Sequence, residues 1–211
     1  MSLTAPVDAG AAECRAPRGV LKTETTCGEV VVDGRVRTFR YWLPKYRSIV
    51  PLVIVLHGGG GSGAGREALA RYRMTDLARD HRFAIVYPDA FEGHWNDGRK
   101  AAFSVAHREN IDDVAFIAAL IDDLTARRPI FTDSVFVVGM SNGGMMALRL
   151  DCELADRVMV AVSVAGSLAP EVAKNCAPSA GLSVLMINGT ADPLVPYEGG
   201  RLRTRPGDAA A

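Results

Sequence analysis

The residues best placed for chemistry lie in the run VFVVGMSNGGMMALRL. Four apolar residues, Val135 to Val138, lead into Gly139-Met140-Ser141-Asn142-Gly143 and then into a helical pattern. In G-x-S-x-G the glycines flank a sharp strand-to-helix turn, where a side chain would strike the neighbouring strand or helix. The serine hydroxyl then stands at the top of a sheet and becomes a nucleophile once a base takes its proton. The N–H of the next residue, Asn142, would point at the negative charge that develops on an attacked carbonyl oxygen. The plainer alternative is a serine that caps the helix.

A second stretch, LHGGGGSG, follows the continuous apolar run PLVIVL. Glycines let the backbone approach a reacting carbonyl and aim an N–H at it, and such a donor lowers a barrier by about 3–4 kcal/mol. The same residues match G-x-G-x-x-G at Gly58, Gly60 and Gly63, with Asp89 ending the next strand. That is a competing dinucleotide-binding pattern. Against it, a β-hairpin precedes this strand, and the serine turn is left without a purpose. A phosphate-binding P-loop is excluded, because Ala64 stands where lysine is required.

A third stretch, NGTADPLVPY, places Asp192 just past a late apolar strand. An acidic residue there is the expected orienting partner of a catalytic histidine, in the chain order Ser, Asp, His. The four histidines, His57, His81, His94 and His107, all precede Ser141.

Positioning these residues takes a sheet. GEVVVDGRVRTFRYWL, residues 28–43, alternates around Asp33-Gly34 as a β-hairpin. Fully apolar strands follow in LVIVL, FAIVYPDA, 134–138, VMVAVSVAGS and LSVLMINGTADP. Helical spacing separates them: residues 66–82 with Leu69, Tyr72, Leu77 and Ala78 on one side, 112–126 with acidic residues at its start, and about 143–154. Apolar strands between helices imply an α/β fold, a mostly parallel sheet covered on both faces. Residues 91–110 form a long polar loop, a length that often carries function. Residues 1–26 read as an irregular arm, and 27–211 as one domain.

Hydrophobic residues make up 48% and charged residues 23% of the 211, enough to bury a core. Lys+Arg and Asp+Glu are equal at 24 each, so no basic excess argues for nucleic acid. No apolar run approaches the roughly 20 residues that span a bilayer. Met1 to Ala11 lacks the basic start and apolar core of a signal peptide. Cys14, Cys27, Cys152 and Cys176 contain no CxxC pair, and their count fits two disulfides or four thiols.

Together, RTFRYWLP, LVIVLHGGGGSG, YPDA followed by WNDGR, NIDDVAFIAALID, VFVVGMSNGGMMALRL and VLMINGTADPLVPYEGG resemble the α/β-hydrolase fold. More closely, they resemble the polyhydroxybutyrate depolymerase-like esterases, which include feruloyl and acetylxylan esterases. The resemblance runs from about Arg37 to Gly200. It implies a carboxylic ester hydrolase acting through an acyl-enzyme on Ser141, with Asp192 as the acid. It implies an oxyanion hole from Gly58, Gly59 and the Asn142 N–H, and His57 as a support of the glycine loop. Trp95 and Asn96 match a segment at the site's mouth and are expected to contact substrate; Trp95 could equally anchor its loop. Asp112 and Asp113 match a helix start and are expected to cap it. The resemblance further implies a Cys152–Cys176 disulfide, a weaker Cys14–Cys27 pairing, export from the cytoplasm, a small or polymeric ester substrate, and neither metal nor organic cofactor.

One departure stands out. In the resembled family a helix, a strand and a loop carrying the catalytic histidine follow the Asp192 segment. Here 19 residues follow Asp192 and none is histidine. Three readings remain: a truncated esterase lacking its C-terminal strand and helix, a non-catalytic binding protein on the same scaffold, or a substitute base from His94 or His107. The first also makes Leu182 to Ile187 an exposed apolar edge.

Overall fold

A computed structural model describes residues 25–45, 48–60, 73–178 and 181–203. Seven strands form one sheet: β1 (Thr26–Val32), β2 (Arg35–Trp42), β3 (Val50–Leu56), β4 (Ala84–Pro88), β5 (Ile130–Met140), β6 (Val160–Val164) and β7 (Val184–Ile187). Their order is β1-β2-β4-β3-β5-β6-β7. The β1–β2 hairpin turns at Asp33-Gly34, both at positive φ, and β2 runs antiparallel to β4. From β4 to β7 every neighbouring pair is parallel.

The alternation of side chains along a strand sorts the core into two layers. Leu52, Ile54 and Leu56 of β3, with Ala84 and Val86 of β4, face helices α3 (Asp113–Arg127) and α4 (Asn142–Glu153). Val55 of β3 and Ile85 and Tyr87 of β4 face the other way, onto Ala78 of α1 (Met74–His81). Such strands read as continuous apolar runs because both of their faces are covered. Two short helices, α2 (Val105–Arg108) and α5 (Pro170–Asn175), and a 3-10 turn at Phe91–Gly93 complete the described elements.

Several expectations shift. The helix expected over 66–82 is described only from Met74, and Leu69 and Tyr72 lie outside the described residues. Leu77 points to solvent while Ala78 is buried, so that stripe is narrower than its spacing suggested. Strand β5 begins at Ile130, four residues early, because Ile130 pairs with Val50 before the ladder resumes at Val135. The expected N-terminal arm, with Cys14, also falls outside the described residues up to residue 24.

Asp112 does cap α3, accepting the Ala115 N–H at 2.8 Å. Asp113, expected to cap as well, is instead buried and tied to Arg37 at 2.7 Å. Its second oxygen accepts the Asn96 N–H, so this ion pair clamps the long loop onto the sheet. Cys152 at the end of α4 is bonded to Cys176 after α5, and Cys27 is oxidised too.

Candidate active site

Strand β5 delivers Ser141 to the C-terminal edge of the sheet, where α4 begins. Ser141 sits at φ 54°, ψ −121°, a conformation that L residues rarely adopt. Two glycines permit it. A Cβ on Gly139 would lie 2.1 Å from the Gly143 carbonyl oxygen, and one on Gly143 would lie 2.4 Å from the His57 carbonyl oxygen. The Ser141 N–H is anchored by the Val164 carbonyl at 2.8 Å, and its side chain makes no capping hydrogen bond to α4. The helix-capping alternative is therefore set aside: strain is concentrated on a serine whose hydroxyl does no capping.

The glycine loop packs directly against this turn. An added Cβ on Gly58 would come within 3.7 Å of the Ser141 Cβ, and one on Gly59 within 3.5 Å of the Asn142 Cβ. The Gly60 N–H donates to the Gly93 carbonyl at 3.3 Å. His57 holds the loop from below. Its Nε2 accepts the Ala90 N–H at 3.1 Å, so Nδ1 carries the proton and donates to the Gly58 carbonyl at 2.7 Å. Burial keeps this imidazole neutral and its pKa below the ordinary value, outweighing the Gly58 hydrogen bond and the nearby Asp89 and Asp113.

Asn142 is buried at the start of α4, and its side chain is fully engaged. Its Oδ1 accepts the Trp95 N–H at 2.8 Å, while Nδ2 donates to the Trp95 carbonyl at 3.0 Å and to Asp97 Oδ2 at 2.6 Å. Trp95 is fully buried and donates its indole N–H to the His57 carbonyl at 2.9 Å. Asn96 donates to the Ile111 carbonyl and receives Arg149 on its own carbonyl. Trp95 and Asn96 are both buried, and neither is among the described residues that line the cleft. Their polar atoms are taken up in fixing the loop to Asn142 and α4.

The residue that organises this loop was not singled out in the sequence. Asp97 is fully buried and accepts from Asn142, from Arg99 Nε at 2.8 Å and from His107 Nε2 at 3.0 Å. Burial alone would raise its pKa; the hydrogen bonds from His107 and Arg99, with the Arg99 charge, hold it below the ordinary value instead. Its signal, an acidic residue between Asn96 and Gly98 in a polar loop, is the same one a solvated turn would give. His107 is thereby held on Asp97 with its Nδ1 unpartnered, and it is not among the described residues that line the cleft with Ser141.

Ser141, Asn142, Gly59 and His94 share one cleft of about 1040 Å³. The His94 ring lies against Gly59 and edge-on to Phe103, with centroids 5.6 Å apart. His81 is exposed at the end of α1. Asp192 lies on the turn after β7, where its Oδ1 accepts the N–H groups of Leu194 and Val195 at 2.8 and 3.0 Å. Those two residues and Pro196 form one wall of the cleft, so Asp192 supports that wall without lining it. Among the described residues, no histidine is hydrogen-bonded to Ser141 or to Asp192. Asp89, the acid of the dinucleotide pattern, is bonded by the Thr38 hydroxyl at 2.9 Å.

Comparison with known proteins agrees with this geometry. Residues 45–205 match the family described as phospholipase/carboxylesterase. NocK of Nocardia uniformis subsp. tsuyamanensis, a protein named as an esterase, is 38% identical over 203 residues, covering 92% of this chain and 56% of its own length. Feruloyl esterase B of Piromyces equi is 33% identical over 159 residues, covering 71% of this chain and 27% of its own. The chain thus spans about half of the first relative and about a quarter of the second. A solved thermostable esterase shares the fold at TM-score 0.66 and 17% identity, over 83% of this chain and 49% of its own. By its matched residues and its strand–turn–helix geometry alike, the chain belongs to the phospholipase/carboxylesterase family of α/β hydrolases.

Proposed function

We propose that the protein is a carboxylic ester hydrolase that works through an acyl-enzyme on Ser141. The observation that carries this reading is the strained serine at the cleft, held between Gly139 and Gly143 beside the glycine loop. Ser141 attacks the ester carbonyl as a base takes its proton, the N–H groups of Gly58, Gly59 and Asn142 receive the oxyanion, the alcohol leaves with that proton, and water attacks the acyl-enzyme to release the acid and restore the serine. By resemblance, Asp192 is the acid that would orient a histidine taking the serine proton, and no histidine follows it in this sequence. By resemblance, the substrate is a hydroxyalkanoate polyester or an aromatic or acetyl ester of a plant polysaccharide. The Cys152–Cys176 disulfide fits an oxidising compartment and so an exported protein. Among the described residues, no helix is long and apolar enough to cross a membrane.

A second reading is a binding protein on this scaffold. It is favoured by the lack of a histidine bonded to Ser141 among the described residues and by the engagement of Asp192 Oδ1 with backbone N–H groups. Initial rates with 4-nitrophenyl butyrate separate the two. Hydrolysis that drops by about 10³-fold or more in Ser141→Ala supports the esterase. Equal rates for both chains, each folded, support the binding protein.

A further inference from the structure

The lining of the cleft carries a charge pattern that the chemistry at Ser141 does not use. Among the described residues, no Asp or Glu lines it, whereas Arg99, Lys100 and Arg203 do. The three cations are not equivalent. Arg99 is bound at 2.8 Å to the buried Asp97, so that pair is electrically balanced. Lys100 and Arg203 are exposed, and neither makes an ion pair among the described residues. They come from separate segments, the long loop and the stretch after the Asp192 turn, so two unbalanced positive charges border one cleft. Lys100 stands at φ 58°, a strained position for a lysine in a loop otherwise clamped by Asp97.

Beside Ser141, Asn142, His94 and Ser167, the rest of the described lining is mostly apolar. Met145, Leu168 and Val195 contribute, and Phe103 is half exposed on the rim. A largely apolar cleft whose described lining has two unpaired cations and no carboxylate suits a molecule with an apolar or aromatic body and one negative charge. A neutral ester would leave both cations unused.

We infer that the cleft selects esters carrying a free carboxylate on an apolar body, with Lys100 and Arg203 as the residues that receive it. This rests on the esterase reading of the same cleft. The carboxylate belongs either to the acyl part or to the alcohol part, and two probes separate these. Mono-4-nitrophenyl glutarate carries it on the acyl side, and 4-(butyryloxy)benzoate on the alcohol side; 4-nitrophenyl valerate and ethyl 4-(butyryloxy)benzoate are the neutral partners.

Binding to the Ser141→Ala chain, followed by NMR titration, avoids dependence on turnover. At low salt, at least one carboxylated probe is expected to bind about 5- to 10-fold more tightly than its neutral partner, the scale of one or two exposed ion pairs. The advantage should vanish in the Lys100→Ala, Arg203→Ala double variant and shrink at about 0.5 M salt, where screening acts within a few ångströms. Equal binding of charged and neutral probes overturns the inference, and so does a preference that survives the double variant. The chain with Ser141 intact tells the two readings apart. Hydrolysis without charge preference removes this inference and leaves the esterase; charge-selective binding with no serine-dependent hydrolysis removes the esterase and leaves the anion-selective cleft.

Discussion

The Ser141 turn and the Asp192 loop belong to the same proposed site, yet their surroundings are opposite. Around Ser141 every neighbour is locked. Gly139 and Gly143 have no space for a methyl group, Asn142 uses both side-chain polar atoms, and the preceding strand β5 is flanked by β3 and β6. Asp192 follows β7, one of the two edge strands of the described sheet, whose residues Val184, Leu185, Met186 and Ile187 are 46–53% exposed. There β7 is held by β6 on one side, Asn188 bonds through both amide atoms to Gly166, Asp192 bonds within its own turn, and the Arg203 N–H donates to the Leu194 carbonyl. One half of the site is thus fixed by the fold, and the other half follows an edge strand that is half exposed along its described length. Preorganised donors work only if they do not move, so the comparison says where precision is built in.

Paired substitutions test this contrast. Gly143→Ala forces a methyl group onto the backbone oxygens of Leu56 and His57 and should cost about 3 kcal/mol in urea unfolding. Gly181→Ala, beside β7, meets nothing within 4 Å and should stay within about 0.5 kcal/mol. Similar costs for the two would break the comparison.

Asp97→Asn should come next, at about 2 kcal/mol, because it weakens a buried acceptor shared by Asn142, Arg99 and His107. The folded pKa of Asp97 lies below its ordinary 3.8, so its contribution is present above that pH and lost as pH falls through the lower folded value. Acid unfolding of the Asn variant should lack that component; superimposable acid limbs would show that the network does not stabilise the loop.

Asp151, in α4, runs the opposite way. Both of its oxygens are buried without a partner, and burial pushes its pKa up to about 6. The neutral form's advantage is complete below 3.8 and is lost as pH rises through about 6. Asp151→Asn should therefore melt higher than the parent at pH 8, by about 1 kcal/mol, and show little difference near pH 4. A variant that is less stable at pH 8 would mean that the carboxylate has a use.

The smallest effect belongs to the edge strand. Leu185→Thr should change stability by less than about 0.5 kcal/mol and reduce self-association, since it weakens an exposed apolar strand edge. A loss above about 2 kcal/mol in the monomer would place Leu185 in a packed interface.

The same contrast explains what the sequence could reveal. Strand–turn–helix geometry at Ser141 was legible because glycine spacing and apolar runs are local signals, and the two-layer sheet followed from fully apolar strands. The buried role of Asp113 was not legible, because an acid at a helix start fits a cap and an ion pair equally well. The Asp97 network was hidden for a similar reason: its partners Arg99, His107 and Asn142 are brought together only by folding the long loop under α4. Trp95 and Asn96 read as mouth residues, and only their burial shows that they anchor that loop.

The most direct test is intact-mass and peptide mass spectrometry after brief exposure to 4-nitrophenyl butyrate. The account predicts a single butyryl group on Ser141, absent from the Ser141→Ala chain. Butyrylation scattered over lysines, equal in both chains, would contradict it and leave the strained serine without a catalytic role.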